Sequence, residues 1–282
     1  MTMHCYARYR QASIDNGHSV YRLLTAALLL ALLALQPGTV QADDVPIVAA
    51  ASDLQFALEE IAQDFTATSG RRVRLNFGSS GNFRRQIAQG APFEVYLSAD
   101  EAYVRALYRE GHTRDAGDLY AIGRVAMIAT EKNASVVDPD LVGLGRQLAS
   151  GLPLRFAIAN PEHAPYGVAA RQVLQSRGLW SAIQPRLILG ENVSQATQFA
   201  LSGNTIGGLV AYSLALAPPL RERSVHALIP AKYHEPLRQR MVLLKDAGTT
   251  ARAFYAYLQS AAARRIFNRY GFVLPDEDAT AQ

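Results

Sequence analysis

Along this chain the spacing of apolar residues switches repeatedly between short strand-like runs and helical periodicity. Residues 46–51 form a continuous apolar run, the signature of a strand buried on both faces. Residues 53–65 follow with Leu54, Leu58, Ile61 and Phe65 at helical spacing. The stretch 73–77 alternates apolar with polar, and 82–89 predicts a helix stopped by Gly90. A strand at 95–97 precedes a helix at 100–110 that ends at Gly111. Further strands are predicted at 122–129, 155–159, 186–189, 206–211 and 239–245. Helices are predicted at 167–177 and 193–201, with one long closing helix over 250–269. Segments 130–152 and 217–233 carry the weakest pattern, though neither has the composition of a flexible linker.

Strands and helices in this order predict an α/β fold built on mainly parallel sheets flanked by helices. Roughly ten strands fit two sheets better than one, so two lobes are expected. Ligands of open α/β sheets bind beyond the carboxyl ends of strands, where helices begin. The site is therefore sought at the strand-to-helix turns.

The N-terminus changes the picture of where the fold starts. Arg22 stands before the apolar run 23–35, which is too short to span a bilayer but suits the core of a secretory signal. Val40-Gln41-Ala42 supplies a signal-peptidase pattern, so residues 1–42 are read as a signal peptide cut after Ala42, and the mature protein as periplasmic. Removing Arg8, Arg10, Arg22 and Asp15 lowers the formal net charge from +4 to +2. A near-balanced surface argues against a nucleic-acid partner. The single cysteine, Cys5, leaves with the leader, which excludes disulfides and thiolate metal sites from the mature chain. His112, His226 and His234 show no metal-type spacing with carboxylates, so no cation site is expected.

Candidate chemistry gathers at the helix starts. Ser52 follows the first strand and has Gln55 three residues on. Ser80 follows the second, in a turn Gly78-Ser79-Ser80-Gly81 whose glycines let backbone approach a ligand. Tyr166-Gly167 opens a helix after 160–165, and Asn192, with Gln195 three residues on, makes Val193 the first residue of another. Each start offers orphan N–H donors and the positive end of a helix dipole. A Ser before a helix is ordinarily a cap contributing about 1 kcal/mol. Turns of one chemical type in both lobes point instead to an anion held by neutral donors.

Several of these stretches resemble the periplasmic molybdate-binding protein family. They are Ala49-Ala50-Ala51-Ser52, Phe77-Gly78-Ser79-Ser80-Gly81, residues 85–92, Leu97-Ser98-Ala99-Asp100-Glu101, residues 160–167, Gly190-Glu191-Asn192-Val193 and residues 266–272. The resemblance runs in order through essentially the whole mature chain. It implies a type II periplasmic-binding-protein fold whose two lobes close over the ligand in a cleft, with lobe I at 43–121 plus 234–282, lobe II at 122–233 and chain crossings near Ala121 and Tyr233. It also implies a monomeric solute receptor of an ABC importer for molybdate and tungstate. Membrane permease subunits would be its partners. It implies no cofactor beyond the bound oxyanion and no enzymatic activity. By position, Ser52 and Ser80 match the family's hydroxyl ligands, and Tyr166 and Val193 match positions that donate through backbone N–H groups.

The chain departs from that pattern in two places. Some members place a Tyr ligand where this chain has Ala211; Tyr212 lies one residue later, where side-chain direction reverses, and is not counted as a ligand. Asp53 stands next to Ser52 at a site meant for a dianion. It is a further candidate site residue, expected to point its carboxylate outward while its N–H faces the pocket. Should that carboxylate point inward it could accept the proton of hydrogen phosphate, so a phosphate or sulfate receptor is the alternative ligand reading. A secreted hydrolase is the alternative from another class. His163 and His234 could serve as its base, but no Gly-x-Ser-x-Gly elbow is present.

Overall fold

The computed structural model of the protein describes residues 45–275. The expected leader, its cut after Ala42 and Cys5 lie outside the described residues. Two five-stranded sheets form, each with one strand running against its neighbours. In the first, β1 (Ile47–Ala51) pairs in parallel with β2 (Arg74–Gly78) and β3 (Val95–Ser98). Beyond them β10 (Leu237–Leu243) lies antiparallel between β3 and β4 (Asp118–Gly123). The order is β2-β1-β3-β10-β4, which puts the apolar β1 at the interior of the sheet. The turns after β1, β2 and β3 therefore open at one edge.

Helices cover both faces of this sheet. On one side α1 (Gln55–Ser69), α10 (Thr249–Leu258) and α11 (Ala261–Arg269) bury Phe65, Phe254 and Phe267. Phe65 meets Phe254 edge-on with ring centroids 5.2 Å apart, a geometry favoured by the ring quadrupoles. On the other side α2 (Ser80–Ala88) and α3 (Glu101–Arg109) contribute Phe83, Val104 and Leu107.

The second sheet has the order β7-β6-β8-β5-β9. Its strands are β5 (Val125–Ala129), β6 (Phe156–Ala159), β7 (Leu187–Gly190), β8 (Gly208–Ala211) and β9 (Val225–Leu228). β6 runs parallel to β7 and β8, while β5 runs antiparallel to β8 and β9. Met127, Ile128, Phe156, Ile158 and Leu209 are fully buried in its core. Around it pack α4 (Val142–Ala149), α5 (Pro165–Ser176), α6 (Trp180–Ile183), α7 (Val193–Ala200), α8 (Tyr212–Leu216) and α9 (Pro218–Arg221). No helix among the described residues is long and apolar enough to cross a membrane.

Four sequence expectations are adjusted. The run 122–129 is two strands, because Ile122 and Gly123 pair with β10 of the first sheet and Val125 begins the second. The first crossing therefore falls at Gly123–Arg124 rather than Ala121. The weakly patterned segments contain α4 and β9, short elements whose apolar positions are too few to show a period. The late strand begins at Leu237, two residues before its expected start. The closing helix is broken at Gln259–Ser260, where the Ser260 hydroxyl accepts the Ala263 N–H at 3.2 Å and starts a new helix. Ser260→Ala is expected to lower stability by about 1 kcal/mol in urea unfolding, and an unchanged midpoint would remove this role for the cap.

Candidate functional site: a cavity between four helix starts

The parallel packing within each sheet brings the carboxyl ends of β1 and β2 opposite those of β6 and β7. Ser52, Asp53, Ser80, Tyr166 and Val193, the candidates read from the sequence, all line one small cavity there. Its volume is about 10 Å³, about the space of a single water as the lobes stand.

Local sequence explains each donor. Ser80 is the first residue of α2, and its Oγ accepts the Ala99 N–H at 3.0 Å. Ser52 opens a 3-10 turn, and its Oγ accepts the Ser194 N–H of the opposite lobe at 3.2 Å. Each hydroxyl thus uses a lone pair on the protein and keeps its hydrogen to donate. Pro165 fixes the first turn of α5, so Tyr166 sits where its N–H has no intrahelical partner. A Cβ on Gly167 would lie 2.3 Å from the Ala159 carbonyl, so only glycine lets α5 start this close to β6. Asn192 caps α7 by accepting the Gln195 N–H at 3.0 Å, and Gln195 Oε1 returns to the Glu191 N–H at 2.7 Å. The cap leaves the Val193 N–H at the helix start unbonded within the helix.

Asp53 is where expectation and structure differ. Its carboxylate does not point outward: the residue is 1% exposed. Oδ2 accepts from Gln239 Nε2 at 2.6 Å, while Oδ1 has no hydrogen-bond partner. The 3-10 turn of Ser52–Leu54 tucks the side chain under β10, where Gln239 occupies an inward position of the strand. Gln239 Oε1 accepts from Tyr120 at 2.6 Å, and its Nε2 also approaches the Tyr166 hydroxyl at 3.3 Å. Burial pushes the Asp53 carboxyl up to about 6, with hydrogen bonds from Gln239 and Tyr166 opposing the rise. Burial and then the Asp53 charge hold the Tyr120 and Tyr166 hydroxyls well above the usual tyrosine range, so both stay neutral. The signal for this network was present in the alternation of β10, where Gln239 shares the inward phase of Leu237 and Met241.

A second set of contacts joins the lobes at the edge of the cavity. The His163 carbonyl accepts the Gly81 N–H at 3.0 Å and the Ser79 hydroxyl at 2.5 Å. His163 Nδ1 lies 2.9 Å from the same Ser79 Oγ, and its Nε2 lies 3.5 Å from Glu191. Asn82 reaches Glu191, and Ser194 Oγ donates to Gln55 at 2.8 Å. Ser79 resembles a nucleophile beside a histidine and a carboxylate, but the hydrogen bonds run the wrong way. A carbonyl can only accept, so the Ser79 proton goes to His163 O and Nδ1–H donates to Oγ. A general base would have to accept that proton. Ser79 ties one lobe to the other. Tyr212 lies away from the cavity, with its ring against His226. Asp100 caps α3 through the Ala102 N–H at 2.8 Å, and Glu101 pairs with Arg105, Arg238 and Arg240.

Residues 47–273 match the family described as bacterial extracellular solute-binding protein. The chain is 36% identical over 230 residues to the molybdate-binding protein ModA of Rhodobacter capsulatus, covering 80% of this chain and 87% of that one. The chain belongs to the periplasmic molybdate-binding protein family. The Escherichia coli relative of that name is 30% identical over 240 residues, covering 84% of this chain and 92% of its own. The solved periplasmic molybdate-binding protein of Azotobacter vinelandii superimposes with a TM-score of 0.73 at 33% identity, covering 82% of this chain and 99% of that one. This family member therefore has the two-lobe receptor fold, and its class is that of solute-binding proteins rather than enzymes.

Proposed function

We propose that the protein captures molybdate, and tungstate by the same chemistry, in the periplasm and presents it to the permease subunits of an ABC importer. One observation carries the reading: the hydroxyls of Ser52 and Ser80 and the helix-start N–H groups of Tyr166 and Val193 line one cavity, with the hydroxyl lone pairs already engaged by protein donors. Such a lining suits an oxyanion that is fully deprotonated and can only accept hydrogen bonds. The relatives named for molybdate binding support the choice among oxyanions. Sulfate offers the same acceptors on a smaller tetrahedron, so discrimination against it rests on cavity size.

Titration calorimetry with molybdate, tungstate, sulfate and phosphate tests the reading. Ser52→Ala and Ser80→Ala are each expected to weaken molybdate binding by about 1–3 kcal/mol. A double variant with unchanged affinity would remove the site. The unpartnered Oδ1 of Asp53 favours a second reading, a receptor for hydrogen phosphate whose proton that oxygen accepts. Strong phosphate binding that disappears in Asp53→Asn would establish it in place of the first.

A further inference from the structure

A buried carboxyl beside a cavity lined by anion donors has to be reconciled with the charge of the anion. Asp53 follows Ser52 directly and lines the same cavity, and no Lys or Arg is among the lining residues. The groups around it are neutral. They are Gln239 from β10, Tyr120 from β4, Tyr166 from α5 and the Ser213 hydroxyl of α8, which donates to the Asp53 carbonyl at 2.7 Å. The start of α7 brings Val193 and Ser194, the turn after β2 brings Gly78, Ser79 and Ser80, and β3 brings Tyr96, whose hydroxyl donates to Ser80 O. The other titratable pair at the cleft is His163 with Glu191, at the lobe contact.

We infer that Asp53 takes up one proton from solvent when the oxyanion binds, so that the anion meets a neutral carboxyl with a hydrogen to donate rather than a second negative charge. The inference rests on the oxyanion reading given above. An ionised carboxylate and a dianion held side by side without a cation repel strongly in a site shielded from water. Protonation removes the repulsion and leaves the lining composed of donors. Burial has already brought the carboxyl up to about 6, and the added charge of the anion must raise it well above neutral pH for the proton to be held through pH 8. The direction follows from linkage. A group whose pKa is higher in the complex makes binding tighter as pH falls, and the gain levels off once the free protein is itself protonated.

Calorimetry of molybdate binding at pH 7 in buffers of different ionisation enthalpy reads the proton count directly. The expected result is uptake close to one proton per anion. Affinity should fall by about tenfold from pH 7 to pH 8 and become flat below about pH 6. Asp53→Asn is expected to bind molybdate with no proton uptake and no pH dependence over that range. Wild-type heats independent of buffer would overturn the inference, with no need of a variant. Uptake that persists in Asp53→Asn would also overturn it. A wild-type protein that gives no saturable heat with molybdate would instead sink the ligand reading on which the inference stands.

Discussion

Gly81→Ala is expected to cost at least about a hundredfold in molybdate affinity, roughly 3 kcal/mol, while leaving the ligand-free protein as stable as before. Gly81 lies in the first turn of α2 and donates its N–H to the His163 carbonyl of the other lobe. A Cβ added there would sit 2.6 Å from that oxygen and 3.0 Å from the Tyr103 hydroxyl. The tyrosine can move, but the carbonyl belongs to the rigid turn that leads into α5. The lobes could meet only by standing further apart, which separates Ser52 and Ser80 from the N–H groups of Tyr166 and Val193. With the lobes apart nothing opposes the methyl group, and alanine is the better helix former. Calorimetry paired with thermal unfolding checks both halves. Retained affinity would show that this contact is dispensable for closure, and a large loss of stability would show that it is needed for folding.

Asp53→Asn is expected to stabilise the ligand-free protein at pH 8 by up to about 3 kcal/mol, a rise in Tm of roughly 5–10 °C. The sign follows from the carboxyl's rise from its ordinary 3.8 to about 6 in the fold. A group raised in this way supports folding fully below the unfolded value and loses that support as pH climbs through the folded value. At pH 8 the wild-type chain therefore carries a buried charge that hydrogen bonds from Gln239 and Tyr166 only partly offset, and asparagine carries none. Near pH 3.5 the two proteins should unfold alike. Thermal or urea unfolding at both pH values distinguishes this from a generic effect of the substitution, which would be the same at each.

The strand-to-helix alternation was legible because most buried strands here are short apolar runs closed by turn residues, and the helices between them carry a clear stripe. Ser52, Ser80, Tyr166 and Val193 could be found for a local reason: each lies at a helix start, and helix starts are written in neighbouring residues such as Gln55, Pro165 and Asn192. What the sequence hid was non-local. The reversal of β10 between β3 and β4 leaves no trace in its own alternation, which is the same in either direction. The single run 122–129 concealed a change of sheet because both flanks of Arg124 are buried. Asp53 was read as outward-facing from its position at a helix start, while its actual partner, Gln239, is 186 residues away. Likewise nothing near Ser79 announces His163.

The lobe-to-lobe bonds of Ser79, Gly81 and Ser194 join protein groups directly, without the anion as a bridge. Their strength helps set how far the closed arrangement is favoured, and the share of molecules competent to bind divides the intrinsic dissociation constant to give the one an experiment sees. Strengthening these bonds would sharpen capture from dilute solution without touching the anion. It would also fill the compartment with shut but vacant receptors, which a transporter that senses shape alone would engage to no purpose. Residues at the rim of the cavity thus set a compromise between sensitivity and false signalling, and selection on Ser79 or His163 could shift it independently of which oxyanion is carried.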